Sequence, residues 1–408
     1  MPPAAKSSSV AGDTPRRGGL RPAEGVHLRI LGEEGMLVDT GRRKVYFLNT
    51  AATLVWCRLA GAPDIARPDP VAAAGGDGPD ASAGSTEIIA TWRSLGLLVD
   101  EADGTPPVPP ARPSGQPQRQ PRIGPPGPLA VRRRYAMLGT RFRLSYGDGE
   151  LHDLIHPTLH HLEHSEPFRA DVALSVEGQN GGFRLVRGAR LAERCRSAAE
   201  LAPLVKLYMA RIAVRRAPHL LALHAGAVEG PTGSLLLPAP PGSGKTVITA
   251  ALMGRGWRCL SDDGVLLAED GRTVRGIPYS LTIKAGAWDL LQPYLPDLAG
   301  RPVHLRPDGQ RVRYMPPTPA AVGDRSAKRV RWIVAPRFDP MAGRAVLHRL
   351  GHAQSVRLVL THGAWAQPPD PDRVDRVVAW IAGIPAFGLD FARLDEALSI
   401  IETLVTQN

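Results

Sequence analysis

Residues 239–246, read as Ala239-Pro240-Pro241-Gly242-Ser243-Gly244-Lys245-Thr246, place two glycines, a lysine and a hydroxyl at the spacing of a phosphate-binding loop. Gly242 and Gly244 permit a tight backbone, and the amides from Gly242 through Ser243 to Thr246 can point at phosphate oxygens. A helix starting at the loop adds partial positive charge, Lys245 neutralises the β/γ phosphates of ATP, and the Thr246 hydroxyl can ligate Mg²⁺. Pro240 and Pro241 have no N–H to donate, but they occupy the early part of the loop, ahead of the main donors.

Two more groups belong to the same chemistry. Asp262 and Asp263 follow an apolar run ending at Leu260, and adjacent carboxylates at a strand end suit a metal ligand and a general base in phosphoryl transfer. Ser-Asp-Asp-Gly is an ordinary turn sequence on its own; the glycine loop upstream is what favours the chemical reading. His224 stands just before the strand entering the loop, placed to orient an aspartate or to sense phosphate charge.

The elements that must position these residues follow a strand, glycine loop, helix, strand pattern from about Leu220, the organisation of an α/β nucleotide-binding core. Ahead of it, 170–176 and 183–188 read as strands and 198–217 as an amphipathic helix; 372–382 and a segment beginning at Leu394 read as later helices. Nearer the N-terminus, 26–31, 35–40 and 44–49 are short β-prone runs separated by Gly-Glu-Glu-Gly and Gly-Arg-Arg, a three-stranded meander. Asn49 or Thr50 caps a following helix whose Leu54, Val55 and Leu59 share a face; residues 61–84 read as a loop; and Ser85 opens a second helix ending at Gly96. The boundaries expected are a disordered tail over 1–22, a small α+β, winged-helix-like domain over 23–101, a Pro-rich linker over 102–128 and an α/β domain over 129–408 with its specific core at 220–290.

Composition narrows the class. The 408 residues carry a net charge of +11, yet the basic excess concentrates in the tail and between Arg112 and Arg143, without interleaved aromatics or a nucleic-acid motif, so no nucleic-acid partner is expected. Three cysteines stand far apart, with no Cys-x-x-Cys pair, and no apolar run is long enough to span a bilayer; a cytoplasmic protein is expected. His152, His156, His160, His161 and His164 crowd one short stretch, but no carboxylate or cysteine joins them at metal-ligand spacing, and Pro157 places His156 outside any helix starting there.

The set of motifs resembles the HPr serine kinase family, whose fold is HPr kinase/PEP carboxykinase-like, and more closely its shorter HPr-kinase-related relatives. His224 stands 21 residues before Lys245 and Asp263 stands 18 after it, the family spacing without gaps. The resemblance implies that Asp263 activates an acceptor hydroxyl, that Thr246 binds Mg²⁺, and that His224 supports the aspartates; of the two carboxylates Asp262 is the metal ligand expected, with the choice between it and Asp263 open. The family's Glu-Arg-Gly segment is absent; in its region Lys284 is the obvious cation, a replacement at the phosphates or a plain surface lysine. That departure speaks against the reverse dephosphorylation and against the carrier protein HPr as acceptor.

Residues 22–100 resemble PqqD-type peptide chaperones, also called RiPP recognition elements, through the segment 43–59 and the helix around Trp92. The resemblance implies a leader peptide added as a strand beside Lys44, Val45, Tyr46 and Phe47, with side chains held against Ile88, Thr91, Trp92 and Leu95. The alternative for Phe47, Trp56 and Trp92 is a small core. Together the two resemblances imply an ATP- and Mg²⁺-dependent kinase for a hydroxyl, a serine foremost, of a captured precursor peptide, and suggest a homo-oligomer. A protein or small-molecule acceptor, and a non-catalytic nucleotide-gated scaffold, stay open.

Overall fold

The computed structural model describes residues 20–60, 80–100, 129–179, 181–317 and 326–407, with the side chains of 80–85 left aside. The chain is mixed α/β with several sheets and divides into two compact units, one within residues 1–113 together with 369–371, the other formed by the remainder.

In the first unit, β1 (Leu20–Pro22) precedes a meander of β2 (Val26–Leu31), β3 (Glu34–Asp39) and β4 (Lys44–Leu48). Helices α1 (Thr50–Leu59) and α2 (Asp80–Ser94) follow, then β5 (Leu98–Asp100). The meander is antiparallel in the order β2-β3-β4, so β4 forms one edge. Asn49 caps α1 by accepting the Ala52 N–H at 2.8 Å. The core collects Leu37, Leu48, Trp56, Trp92, Leu97 and Leu98, with the two indoles edge to face at 5.1 Å between centroids.

Three expectations need correction here. Leu20, Arg21 and Pro22 are not tail but strand, paired antiparallel with Asp100, Val99 and Leu98; a partner nearly eighty residues away leaves no local trace. Helix α2 begins at Asp80 rather than Ser85, because the alanines read as part of a loop are strong helix formers. In α1 the buried face is Ala52, Thr53 and Trp56, while Leu54 is 44% exposed. The tail up to residue 19, the 61–79 stretch and the linker over 102–128 lie outside the described residues.

The second unit opens with β6 (Val131–Met137), β7 (Thr140–Tyr146), α3 (Gly149–Leu159), β8 (Val172–Gln179), β9 (Gly182–Arg187), β10 (Arg190–Cys195) and α4 (Leu201–Arg216). Its five strands form one sheet in the order β10-β9-β8-β7-β6. Contrary to the expected helix start, α3 runs through Pro157 and carries His152 and His156, started by Asp148 accepting the Leu151 N–H.

Then come β11 (Leu221–Leu223), β12 (Ala225–Gly230), β13 (Gly233–Pro238), α5 (Lys245–Gly254), β14 (Arg258–Ser261), β15 (Val265–Leu267), β16 (Val274–Gly276) and β17 (Leu281–Lys284). The short α6 (Trp288–Leu291), β18 (Val303–Leu305), β19 (Arg311–Met315), β20 (Val330–Phe338), β21 (Val346–Arg349), α7 (His352–Thr361), β22 (Gly363–Trp365), α8 (Pro371–Ala382), β23 (Ala386–Phe391) and α9 (Leu394–Thr406) complete it. The central sheet has the order β14-β12-β13-β20-β23-β21, with β13, β20 and β23 parallel. A second sheet, β16-β15-β11-β22, and a three-stranded sheet, β17-β19-β18, flank it.

One core lies between α5, α9 and the central sheet, around Ile248, Leu252, Leu389, Leu398 and Ile401. The other joins the five-stranded sheet, α3 and α4 to Leu266, Ile277, Val312 and Tyr314 from the later sheets. The three cysteines are free, and no helix among the described residues is long and apolar enough to cross a membrane.

The Trp56–Trp92 contact is the largest aromatic packing in the small core, so truncating it should be costly. Trp92→Ala is expected to destabilise the first unit by roughly 3–5 kcal/mol. Urea denaturation followed by circular dichroism reads this as an earlier transition for that unit, with the second unit's transition unmoved.

Candidate active site

Sheet topology brings the chemistry together. His224 is the single residue between β11 and β12, where the chain leaves one sheet for another, rather than a residue within a strand. Asp262 and Asp263 occupy the equivalent crossing between β14 and β15. The two crossings run side by side, since Ala227 pairs with Ser261 on one flank and Leu223 with Val265 on the other. His224 is pinned there by its N–H to the His362 carbonyl at 2.8 Å, and the aspartates by the buried Ser261 hydroxyl, which accepts from the Gly264 N–H and donates to the Ile277 carbonyl.

Parallel β13 delivers the glycine loop to the same place. Gly242 and Gly244 take φ of 87° and 91°, the left-handed region, and α5 starts directly afterwards at Lys245. At Gly244 a Cβ would also stand 2.6 Å from the Phe391 ring. Gly226 matters for a different reason: a Cβ there would meet the Thr249 hydroxyl at 2.6 Å, so its absence lets α5 lie against β12. The first amides of α5 have no intrahelical acceptors and face whatever fills the loop. The Ser243 hydroxyl is buried with no hydrogen-bond partner.

Lys245, 5% exposed, donates to His224 Nε2 at 2.7 Å, and its Nζ lies 3.7 Å from Asp263 Oδ1. A lysine ammonium only donates, so Nε2 is the acceptor and the Nδ1–H of His224 points to Asp263 Oδ1 at 3.1 Å. Lys245, His224 and Asp263 thus form a closed polar chain, with Asp263 half-exposed at its outer end. Burial pushes the Lys245 ammonium down, opposed by the charges of Asp263 and Asp262. Lys284 is exposed at the end of β17, and its positive charge also reaches Lys245.

Asp262 is different: it is 2% exposed. Burial and the neighbouring Asp263 charge push its carboxyl up, while the Thr282 N–H, Lys206 and the Thr246 hydroxyl pull it back. Oδ2 accepts the Thr282 N–H at 3.1 Å, and Oδ1 is buried with no partner. Among the described residues no cluster of three or more His, Cys, Asp or Glu side chains could hold a metal by itself. An orphaned carboxylate oxygen beside a threonine hydroxyl at a glycine loop fits Mg²⁺, which takes one or two carboxylates and completes its shell with phosphate and water. Asp262 and Thr246 are the residues that would hold it.

One residue of the site was not foreseen. Lys206, on α4, is 9% exposed and donates to the Ser280 carbonyl at 2.7 Å and to Thr282 Oγ1 at 2.6 Å. Burial drives its ammonium down to about 8, resisted by Asp262 and Asp263. The signal in the sequence was a lysine breaking the apolar face made by Leu201, Ala202, Val205, Met209, Ala210 and Ala213.

Other candidates stay apart from this site. Arg133 turns to Glu163 and His152, while Arg132 and Arg134 are exposed on alternate positions of β6. His152 and His156 stack at 4.7 Å, and His156 meets the Tyr135 hydroxyl at 2.9 Å, a polar layer within the second unit. In the first unit, Lys44, Val45, Tyr46 and Phe47 make up the edge strand β4 with Leu48. Ile88 is half-buried, Thr91 exposed and Leu95 38% exposed. Trp92 is a correction: it is 5% exposed and belongs to the core rather than to an open groove, because its large ring completes a core too small to do without it.

No family model matches the chain, and no curated protein matches it. Among solved structures, the chain is similar to the Hpr(Ser) kinase/phosphatase from Coxiella burnetii, at 14% identity, over 46% of this chain and 99% of that one, with a TM-score of 0.21. At that level of likeness, function has to be read from the side chains themselves.

The depressed Lys206 has a measurable sign. Between pH 8 and 10.5 the folded state holds less of a proton at this group than the unfolded chain does, so its contribution to stability rises as pH climbs through that window. Relative to Lys206→Met, the intact chain is expected to gain on the order of 2–3 kcal/mol between pH 7 and 10.5 in urea denaturation. A pH-independent difference would mean that the ammonium is not desolvated.

Proposed function

We propose that this chain is an ATP-dependent phosphotransferase that modifies a hydroxyl, a serine foremost, of a peptide captured by its first unit. The observation that carries the reading is the meeting of Lys245, His224, Asp263 and the buried Asp262 at the mouth of a glycine loop with left-handed Gly242 and Gly244.

Each group has a task that follows from its surroundings. The loop amides and the start of α5 bind the phosphates of ATP, and Lys245 turns from His224 and Asp263 to the β/γ oxygens. Bound Mg²⁺ supplies charge neutralisation on those phosphates. Asp263, half-exposed and held by the His224 Nδ1–H, faces solvent where an acceptor hydroxyl can approach. It takes the hydroxyl proton as the acceptor oxygen bonds to the γ-phosphorus and the bond to the β-phosphate oxygen breaks, leaving ADP. His224 keeps the carboxylate oriented, and Lys284 adds a cation at the rim. Little covalent chemistry is asked of the protein; positioning and charge do most of it.

The peptide part of the proposal rests on the first unit. Edge strand β4 offers a backbone to a strand-forming peptide, and Ile88 and Thr91 on α2, with Leu95 just past its end, are spaced three and four apart and offer side chains beside it. A leader held there raises the concentration of the attached acceptor segment around the second unit.

The test is phosphoryl transfer from ATP to candidate precursor peptides with and without their leader. Leader-dependent phosphopeptide is expected from the intact chain. Asp263→Asn should lower the rate by roughly 10²–10⁴-fold while ATP affinity changes little. Equal rates with and without the leader would overturn the peptide-capture part alone; an unaffected Asp263→Asn would overturn the assignment of the base. ATP binding with no product from any hydroxyl acceptor would replace catalysis by a nucleotide-gated scaffold.

A further inference from the structure

Lys206 belongs to α4, in the layer that precedes the phosphate loop, yet its ammonium ends in the wall of the active site. A lysine on a buried helix face is costly where a methionine of similar length would pack without desolvation. Here every donor direction has a use. One N–H goes to the Ser280 carbonyl at 2.7 Å and one to Thr282 Oγ1 at 2.6 Å. The remaining faces of the ammonium lie over the rings of Tyr314 at 4.6 Å and Tyr279 at 5.0 Å. No carboxylate forms an ion pair with it among the described residues. Its partners are backbone and hydroxyl, so it holds a segment in place.

That segment holds Asp262. The Thr282 N–H binds Asp262 Oδ2 at 3.1 Å, and the Ser280 hydroxyl, 1% exposed, is tied to the Thr158 carbonyl at 2.6 Å. With Oδ2 occupied, Oδ1 is left as a buried oxygen without a partner. From this geometry we infer that Lys206 is a positioning residue of the phosphotransferase site: through Thr282 it fixes the Asp262 carboxylate with one oxygen presented to a divalent cation. The inference rests on the function proposed above and adds to it a residue that touches neither phosphate nor acceptor.

The experiment is Mn²⁺ binding to the full-length chain with ADP, read by electron paramagnetic resonance, beside ADP affinity without metal. Lys206→Met and Thr282→Val are each expected to weaken Mn²⁺ binding about 10-fold, with metal-free ADP affinity held within about two-fold. Because both act through one link, the double variant should be no weaker than the poorer single variant by more than about three-fold. A purely structural lysine would lower the melting temperature and leave the Mn²⁺ constant where it was. A folded Lys206→Met chain that binds Mn²⁺ like the parent overturns the inference. Should Lys206→Met not fold, Thr282→Val decides alone, and parental Mn²⁺ affinity in that variant overturns it equally. If the parent chain itself shows no ADP-dependent Mn²⁺ site, the phosphotransferase reading fails first and takes this inference with it, a result distinct from a parent that binds and variants that match it.

Discussion

A carboxylate taken out of water must be given something to hold, or it reverts to the neutral acid. Asp262 is buried next to the charged Asp263, and neither sheet nor helix around it supplies an ion pair among the described residues. One N–H from Thr282 and a cation beyond it do the holding. Much of the second unit serves that arrangement. The crossing of β14 into β15 sets the two aspartates beside each other, the crossing of β11 into β12 sets His224 opposite them, and β17 runs past to lend its backbone. A bound divalent cation would relieve the strain of two adjacent negative charges, which couples occupation of the glycine loop to the electrostatics behind it.

Asp263 meets the same problem with the opposite solution. It is half-exposed, and its oxygen is shared between a histidine N–H and a lysine ammonium. Two adjacent residues of one type therefore live in different environments, one buried and one open to solvent.

Short-range chemistry was readable in the sequence. The glycine loop is contiguous, its strand and helix flank it, and the spacing from His224 to Lys245 to Asp263 was visible as a resemblance. What the sequence could not show was the reason for that spacing, two sheet crossings lying side by side, because strand pairing is a long-range choice. Lys206 lies on the buried face of its helix by the 3.6 period, between Ala202 and Met209, but nothing local shows that Thr282, far along the chain, is what accepts its hydrogen bond. Trp92 erred in the other direction, an aromatic assigned to a peptide groove that a small core claimed first. Pairing of Leu20 with Asp100 left no local signature at all. Pro157 shows the limit of breaker rules, since α3 continues through it while packing on the five-stranded sheet.

The shared core of that sheet has a consequence for how such a protein can be taken apart. Tyr135, Leu144, Val205 and Met209 are packed in one cluster with Leu266, Ile277, Val312 and Tyr314, which belong to strands and loops downstream of the glycine motif. A fragment cut at the start of β11 would keep every residue of the glycine loop and lose most of that interior. The part that carries the glycine loop and the two aspartates is therefore not a portable cassette. Moving it into another chain means carrying the preceding sheet and α4 along, so a cut that keeps this interior whole falls ahead of β6, not ahead of β11.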